Sequence, residues 1–407
     1  MTSQLWKSTG LSVLAILIFL AGIIVGDFLL VLLGIFLIVL LAAVEWMTSR
    51  TLTFIGVDHS VAHRVIEIGE TVMAEMVVEN RMPWPITHVS WENSLPQAVS
   101  VKGPGRVVLN APTHRQILSG HLHVGANERV RVQYQLTGNA RGRWMVGPAA
   151  LWFGDIFGFT RLYRDMPEQM YLTVWPKRYP MEKKFVTRTL LEGSLKGHPW
   201  DYPEPYKVKG IRPYVVGDPV RQIHPYASAR TGSLMVKELE TVQDRHIEVV
   251  LHPLTNQEHW MGIDVVLLEG VISLAASVVE AAMIEGVDVG LTMSGSLPGY
   301  PYGYSHRPSH SPESLAEYLT ALSWVQPSGS IRQLIVQRMS DLMRRLTPSS
   351  VVVLVIARWE DAIEPILAQL RHRGIRVMIM TNGDLGDAAK VAYPDLLTWR
   401  EGKVLHA

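Results

Sequence analysis

Hydrophobic and polar positions follow three successive rhythms along this chain. From Leu11 to Val44 the residues are almost all apolar, and Asp27 is the only ionisable side chain among them. As one helix that run would be about 51 Å long at about 1.5 Å per residue. A bilayer core is only about 30 Å thick. Gly26-Asp27 lies near the middle and supplies a turn with a polar group to hydrate. The pattern therefore predicts two helices, Gly10–Val25 and Phe28–Trp46, joined as a transmembrane helical hairpin.

After residue 50 the apolar period drops to two. Val72, Ala74, Met76 and Val78 share one face of Thr71–Asn80. In Glu128–Leu136, Val130, Val132, Tyr134 and Leu136 alternate with polar residues. Such half-buried strands, punctuated by Met82-Pro-Trp-Pro85, Lys102-Gly-Pro-Gly105, Gly138-Asn139 and Gly147-Pro148, predict an antiparallel β-sandwich over 51–180. His121 and His123 fall on one strand face, with no third metal ligand identifiable nearby.

From His246 the rhythm changes again, and strand and helix patterns alternate. Strands are expected at His246–Leu251, Val287–Met293, Val351–Ile356 and Ile375–Met380. Helices are expected at Val265–Glu285, Ser314–Val325, Ser330–Leu346 and Asp361–Arg373. The unbroken apolar run Val351–Ile356 is that of a strand buried on both faces. This alternation predicts an α/β domain over 246–407, with a mostly parallel sheet and helices on both faces. Pro298–Pro312, rich in Gly, Pro and Tyr, reads as a surface loop or a partner-binding one.

Composition narrows the function classes. The formal net charge of the 407 residues is +1, which gives no electrostatic case for nucleic acid. There is no cysteine, so disulfides and thiolate chemistry are excluded. Lys7 and Arg50 flank the hairpin and Trp6 and Trp46 stand at its outer ends. By the positive-inside rule the soluble domains lie in the cytoplasm. A cleaved signal peptide, or a single span with the soluble part outside, are the alternatives. The chain contains no phosphate-binding Gly-rich loop, no G-x-S-x-G, no HExxH and no evident nucleophile–base pair, and nothing in it calls for a cofactor.

The densest chemistry lies in 181–245, a polar linker followed by a charge-rich segment from Lys209 to Glu240. Gly217-Asp218-Pro219 is a turn whose carboxylate can accept backbone amides. Arg221 and Arg230 can each form bidentate pairs with carboxylates such as Asp218, Glu238 or Glu240. Two roles compete: an internal network clamping the segment onto the next domain, or arginines presented to an anionic ligand or a protein carboxylate.

Arg212, Tyr214, Gly217, Asp218, Arg221, Ile223, Ser228, Ala229, Arg230 and Leu234 resemble the signature of the bacterial family called domain of unknown function 58. His224, Lys237 and Glu238 complete the candidate binding segment. The chain departs from the family at His224-Pro225, where an Asp-Trp pair is usual. Arg141–Pro148 and Gly154–Phe159 resemble the segment that precedes the family's named domain. The resemblance implies a von Willebrand factor A-like α/β domain on a bacterial inner-membrane protein, with a MoxR-type AAA+ ATPase as partner. That fold often carries a metal site in a D-x-S-x-S loop after its first strand. Here the corresponding loop is Leu251-His-Pro-Leu-Thr-Asn256, without a carboxylate, and the strand Val351–Ile356 ends in Ala357-Arg358. His252, Thr255 and Asn256 remain the candidate strand-end residues. A membrane-anchored scaffold or adaptor is the expectation; a metal-dependent or hydrolytic enzyme at the strand ends is the alternative.

Overall fold

The computed structural model describes residues 8–154, 161–165, 170–182, 186, 203–241, 246–256, 262–326, 331–347, 350–383, 396–400 and 403–406. The chain divides into two compact units, Met1–Lys177 and Arg178–Ala407.

The first unit opens with α1 (Ser8–Val25) and α2 (Phe28–Phe54). Gly26 makes the turn at φ +75°, and Asp27 Oδ1 accepts the Leu29 amide at 2.9 Å, capping α2. The helices pack closely because Gly34 has no side chain: a Cβ there would meet the backbone of Phe19. Phe28–Met47 is long and apolar enough to cross a membrane, and Gly10–Val25 is a shorter apolar helix. Trp6 and Lys7 lie outside the described residues.

The strands that follow are β1 (Ile55–Val61), β2 (Val65–Glu67), β3 (Thr71–Asn80), β4 (Ile86–Pro96), β5 (Val99–Lys102), β6 (Arg106–Asn110), β7 (Arg115–Val124), β8 (Arg129–Gly138), β9 (Gly142–Val146), β10 (Ala149–Gly154), β11 (Arg161–Asp165) and β12 (Met170–Trp175). They form a four-stranded sheet, β1-β3-β8-β5, and a five-stranded sheet, β11-β10-β4-β7-β6, both antiparallel, with a small third sheet, β2-β12-β9. Val72, Ala74, Met76 and Val78 meet Val89, Trp91, Leu118 and Leu151 in one core, as the period of two requires. This is a β-sandwich. At its centre Asn93 Nδ2 donates to Tyr134 Oη at 2.7 Å, and His59 Nε2 touches the same hydroxyl.

The second unit begins with contacts onto its own α/β domain. Arg178 Nη1 pairs with Glu280 at 2.5 Å, and the Tyr179 amide donates to Ser277 Oγ at 3.0 Å. Most of the expected linker, 183–185 and 187–202, lies outside the described residues. A two-stranded sheet follows, β13 (Pro203–Pro213) with β14 (Met235–Thr241), and α3 (Pro225–Thr231) sits in their connection.

The α/β domain contains β15 (His246–His252), α4 (Val265–Ile284), β16 (Asp288–Met293), β17 (Tyr304–Ser309), α5 (Pro312–Trp324), α6 (Ile331–Met343), β18 (Val351–Ile356), α7 (Glu364–His372), β19 (Arg376–Thr381), β20 (Leu396–Arg400) and β21 (Lys403–His406). The sheet order is β17-β16-β15-β18-β19-β20-β21. Neighbouring pairs from β16 through β20 are parallel, and the edge strands β17 and β21 are antiparallel. All six residues of Val351–Ile356 are buried. Val250, Val352, Leu354 and Ile356 pack under α6 and α7 through Ile335, Met339 and Leu367. The hydrophobic helix α4 is buried over most of its length, so its membrane-like composition reflects a core position.

The expected surface loop Pro298–Pro312 is corrected in part: Tyr304–Ser309 is an edge strand. Tyr304 is buried and donates to Glu317 Oε1 at 2.8 Å, and Thr292 meets Ser305 at 3.0 Å. Pro308 is tolerated because an edge strand need not donate on both sides.

Candidate functional site

The signature forms a small lobe around β13 and β14. Arg212 lies near the end of β13 and reaches Asp218 with both terminal nitrogens, at 2.7 and 2.6 Å. Asp218 Oδ2 also accepts the Val215 amide at 2.9 Å. The Arg212 hydrogen bonds, helped by the Val215 amide, hold the Asp218 carboxyl below its usual range. Gly217 sits at φ +111°, a left-handed turn position that suits glycine.

The connection continues through a single 3₁₀ turn into α3. His224 is the N-cap of α3: its Nδ1 accepts the Ala227 amide at 3.2 Å. The departure at His224-Pro225 is thus a helix start, with proline at the first position where its missing N–H costs nothing. Ser228 ties α3 to the next strand, donating to His224 O at 2.9 Å and accepting the Met235 amide at 2.8 Å. Tyr214 N donates to Leu234 O at 2.9 Å.

Arg221 and Arg230 depart from expectation at Asp218. Neither pairs with Asp218, whose partner is Arg212. Both side chains are exposed, and among the described residues they form no ion pair. The side chains of Glu238 and Glu240 lie outside the described residues; Lys237 is half-buried. Within the described residues the clamp onto the α/β domain reduces to Arg212–Asp218, which closes the lobe on itself. The lobe also exposes Val215, Val216, Val220, Tyr226 and Leu234, with Val216 at 95% and Tyr226 at 85%. The lobe thus exposes both apolar side chains and guanidinium groups.

The strand-end residues lie elsewhere. His252 ends β15 beside β18, where the strand order reverses. It is fully buried. Its Nδ1 is 2.8 Å from Ser294 Oγ, and its Nε2 faces Glu360 Oε2 at 3.3 Å, off the line of a good hydrogen bond. Thr255 Oγ1 accepts the Asp264 amide at 3.1 Å, and Asn256 Nδ2 donates to Gly262 O at 2.8 Å, so both shape the loop before α4. Hard cations want carboxylate oxygens. Among the described residues no three His, Asp or Glu side chains converge as a metal site, and the imidazole here is already engaged. The residues present do not fit an adhesion-type metal site.

Ser294 and Glu360 escaped the sequence reading. Glu360 stands four residues past the end of β18, beyond the Ala357-Arg358 pair that follows the strand. Ser294 follows a strand with no motif of its own. His121 and His123 do share an exposed face, joined by His88, Ser90, Glu92 and Trp152 along a shallow groove of about 670 Å³. Ser90 Oγ is 2.9 Å from His121 Nδ1.

The described residues define a protein of two parts: an apolar helical hairpin with a β-sandwich, and a signature lobe with an α/β domain. Residues 210–384 match the family described as protein of unknown function DUF58, and this segment belongs to that family. No curated protein matches the chain. Among solved structures, the CARDB domain of a Pyrococcus furiosus protein, in complex with di-metal ions, is similar at 10% identity and TM-score 0.19, covering 30% of this chain and 91% of that one. A Clostridium perfringens cohesin module is similar at 10% identity and TM-score 0.22, covering 29% and 96%. The major pilin SpaD of Corynebacterium diphtheriae is similar at 10% identity and TM-score 0.24, covering 32% and 37%. The fold assignment rests on the sheets themselves, not on these likenesses.

Proposed function

We propose that this protein is a membrane-anchored scaffold or adaptor of the bacterial inner membrane that binds a MoxR-type AAA+ ATPase through its signature lobe. The observation that carries the proposal is the exposure of Val215, Val216, Val220 and Tyr226 on the lobe that also exposes Arg221 and Arg230. Apolar side chains supply buried area on binding, and guanidinium groups steer toward partner carboxylates. The apolar hairpin supports the anchor, and Arg50 just past the apolar span of its second helix supports a cytoplasmic location for the soluble domains.

The α/β domain is read as von Willebrand factor A-like. Counting its strands from β15, the order is 3-2-1-4-5-6 with an antiparallel third strand and one added edge strand, which supports that reading.

The test is binding of purified MoxR-type ATPase to the protein in nanodiscs, comparing wild type with Arg221→Ala plus Arg230→Ala and with Val216→Asp. Binding should fall at least tenfold in each while far-UV circular dichroism and the melting temperature stay unchanged. Equal binding by folded variants would sink the proposal. A reporter fused after Ala407 that works only in the periplasm would overturn the topology.

A hydrolytic reading draws on the Ser294–His252–Glu360 chain. Ser294 has no exposed surface, which opposes it. Labelling by a serine-reactive phosphonate, lost in Ser294→Ala, would favour the enzyme.

A further inference from the structure

The apolar span ends at Met47, yet α2 continues to Phe54 and runs directly into β1 at Ile55. No linker separates the helix from the sandwich. At the end of the span the Trp46 ring is 54% exposed, and the Arg50 guanidinium lies over it at 5.6 Å. Trp84, on the turn after β3, packs against Trp46 with ring centroids 5.8 Å apart.

That turn is rigid. Asn80 is buried, and its Nδ2 donates to Trp84 O at 2.9 Å and to Gly125 O at 2.7 Å. Its Oδ1 accepts the Met82 amide at 3.0 Å, and Met82 is itself buried. The Arg81 amide donates to Phe54 O at 3.2 Å, tying the turn to the last residue of α2. Trp84 therefore cannot move away from the helix without breaking buried hydrogen bonds. A separation of 5.8 Å is about one helical turn, so Trp84 is held within about that depth of Trp46.

We propose that the Arg81–Pro85 turn is seated in the headgroup layer of the bilayer, with Trp46, Trp84 and Arg50 as its contacts to phospholipid. The proposal rests on the membrane reading of the hairpin and adds a lipid-facing surface on the β-sandwich. Indole rings favour the interface because one part is apolar and the N–H is not. Arg81 is engaged by Glu79 at 2.8 Å, so Arg50 is the guanidinium turned to the lipid phosphates. The sandwich is thereby fixed against the membrane rather than tethered to it.

The absence of cysteine allows a clean test, since each introduced thiol is unique. Phe36→Cys and Pro83→Cys, both at exposed positions, are labelled with a fluorophore in proteoliposomes whose lipids carry nitroxide in the headgroup or deep in the acyl chain. Position 36 should be quenched severalfold by the deep nitroxide, and position 83 severalfold by the headgroup nitroxide. Arg81→Cys should repeat the result at 83 if the proline variant does not fold. Quenching at 36 without quenching at 83 and 81 overturns the seat and leaves the hairpin standing. No quenching at 36 overturns both.

Discussion

Glu248 gives the most direct test of how the α/β domain is held together. It lies in β15 at 2% exposure, in register with Gly290 on one side and Val352 on the other. Its Oε2 has no hydrogen-bond partner among the described residues. Burial pushes the carboxyl from its ordinary 4.5 up to about 7, and the Arg345 guanidinium pulls it the other way. The folded protein therefore binds this proton more tightly than the unfolded chain does. The associated stability is complete below about pH 4.5 and is lost as pH rises through about 7. At about 1.4 kcal/mol per tenfold change in the proton equilibrium, the loss comes to about 3 kcal/mol. Glu248→Gln keeps the shape and removes the charge, so most of that loss should disappear. The assay is urea unfolding of the detergent-solubilised protein between about pH 5 and about pH 8.5, read by a fluorophore on Ala368→Cys in α7. Wild type should lose stability as pH rises, and Glu248→Gln should stay flat and be more stable by about 2–3 kcal/mol at about pH 8. A flat wild-type profile, or a Gln variant weaker than wild type at that pH, would refute the reasoning.

Gly290→Ala should destabilise the same domain by about 1–3 kcal/mol, because its Cβ would overlap the Glu248 carboxylate. In a double-mutant cycle, Glu248→Ala should recover much of that cost. The sandwich should respond to pH in the opposite sense. Burial pulls His59 from 6.5 down to about 4, so its contribution is present above about pH 6.5 and is lost as pH falls through about 4. His59→Gln should flatten the acid limb of a fluorophore signal placed on the sandwich at Met73→Cys. Asp264→Ala removes the acceptor of the Leu267 amide at the start of α4 and should cost about 1 kcal/mol in the same urea assay. Asp218→Asn should raise protease cleavage within the 213–220 turn without moving the main unfolding transition, since the Arg212 pair closes only the lobe.

What could be read from the chain depended on how periodic the physical constraint was. Strand β3 and strand Val351–Ile356 were legible because each repeats one burial demand over several residues. Strand β17 was hidden because an edge strand faces solvent on one side and tolerates Pro308 and glycine nearby. The last two strands, Leu396–Arg400 and Lys403–His406, are short and lie beyond the final strand the pattern identified, the second of them at the sheet edge.

The candidate sites show a different limit, because side-chain pairing is a three-dimensional choice. Arg212, Arg221 and Arg230 are equivalent as sequence characters, and three acids nearby offer equivalent partners. Only the antiparallel register, with Arg212 opposite Val236 near the end of β13, places one guanidinium beside Asp218 and leaves Arg221 and Arg230 outside. Ser294, His252 and Glu360 are likewise far apart in sequence and meet only because β15, β16 and β18 are neighbours in the sheet. The chemistry of the lobe follows from the same choice. An arginine committed to Asp218 ties the turn to the end of β13, while Arg221 and Arg230 stay exposed on the same lobe.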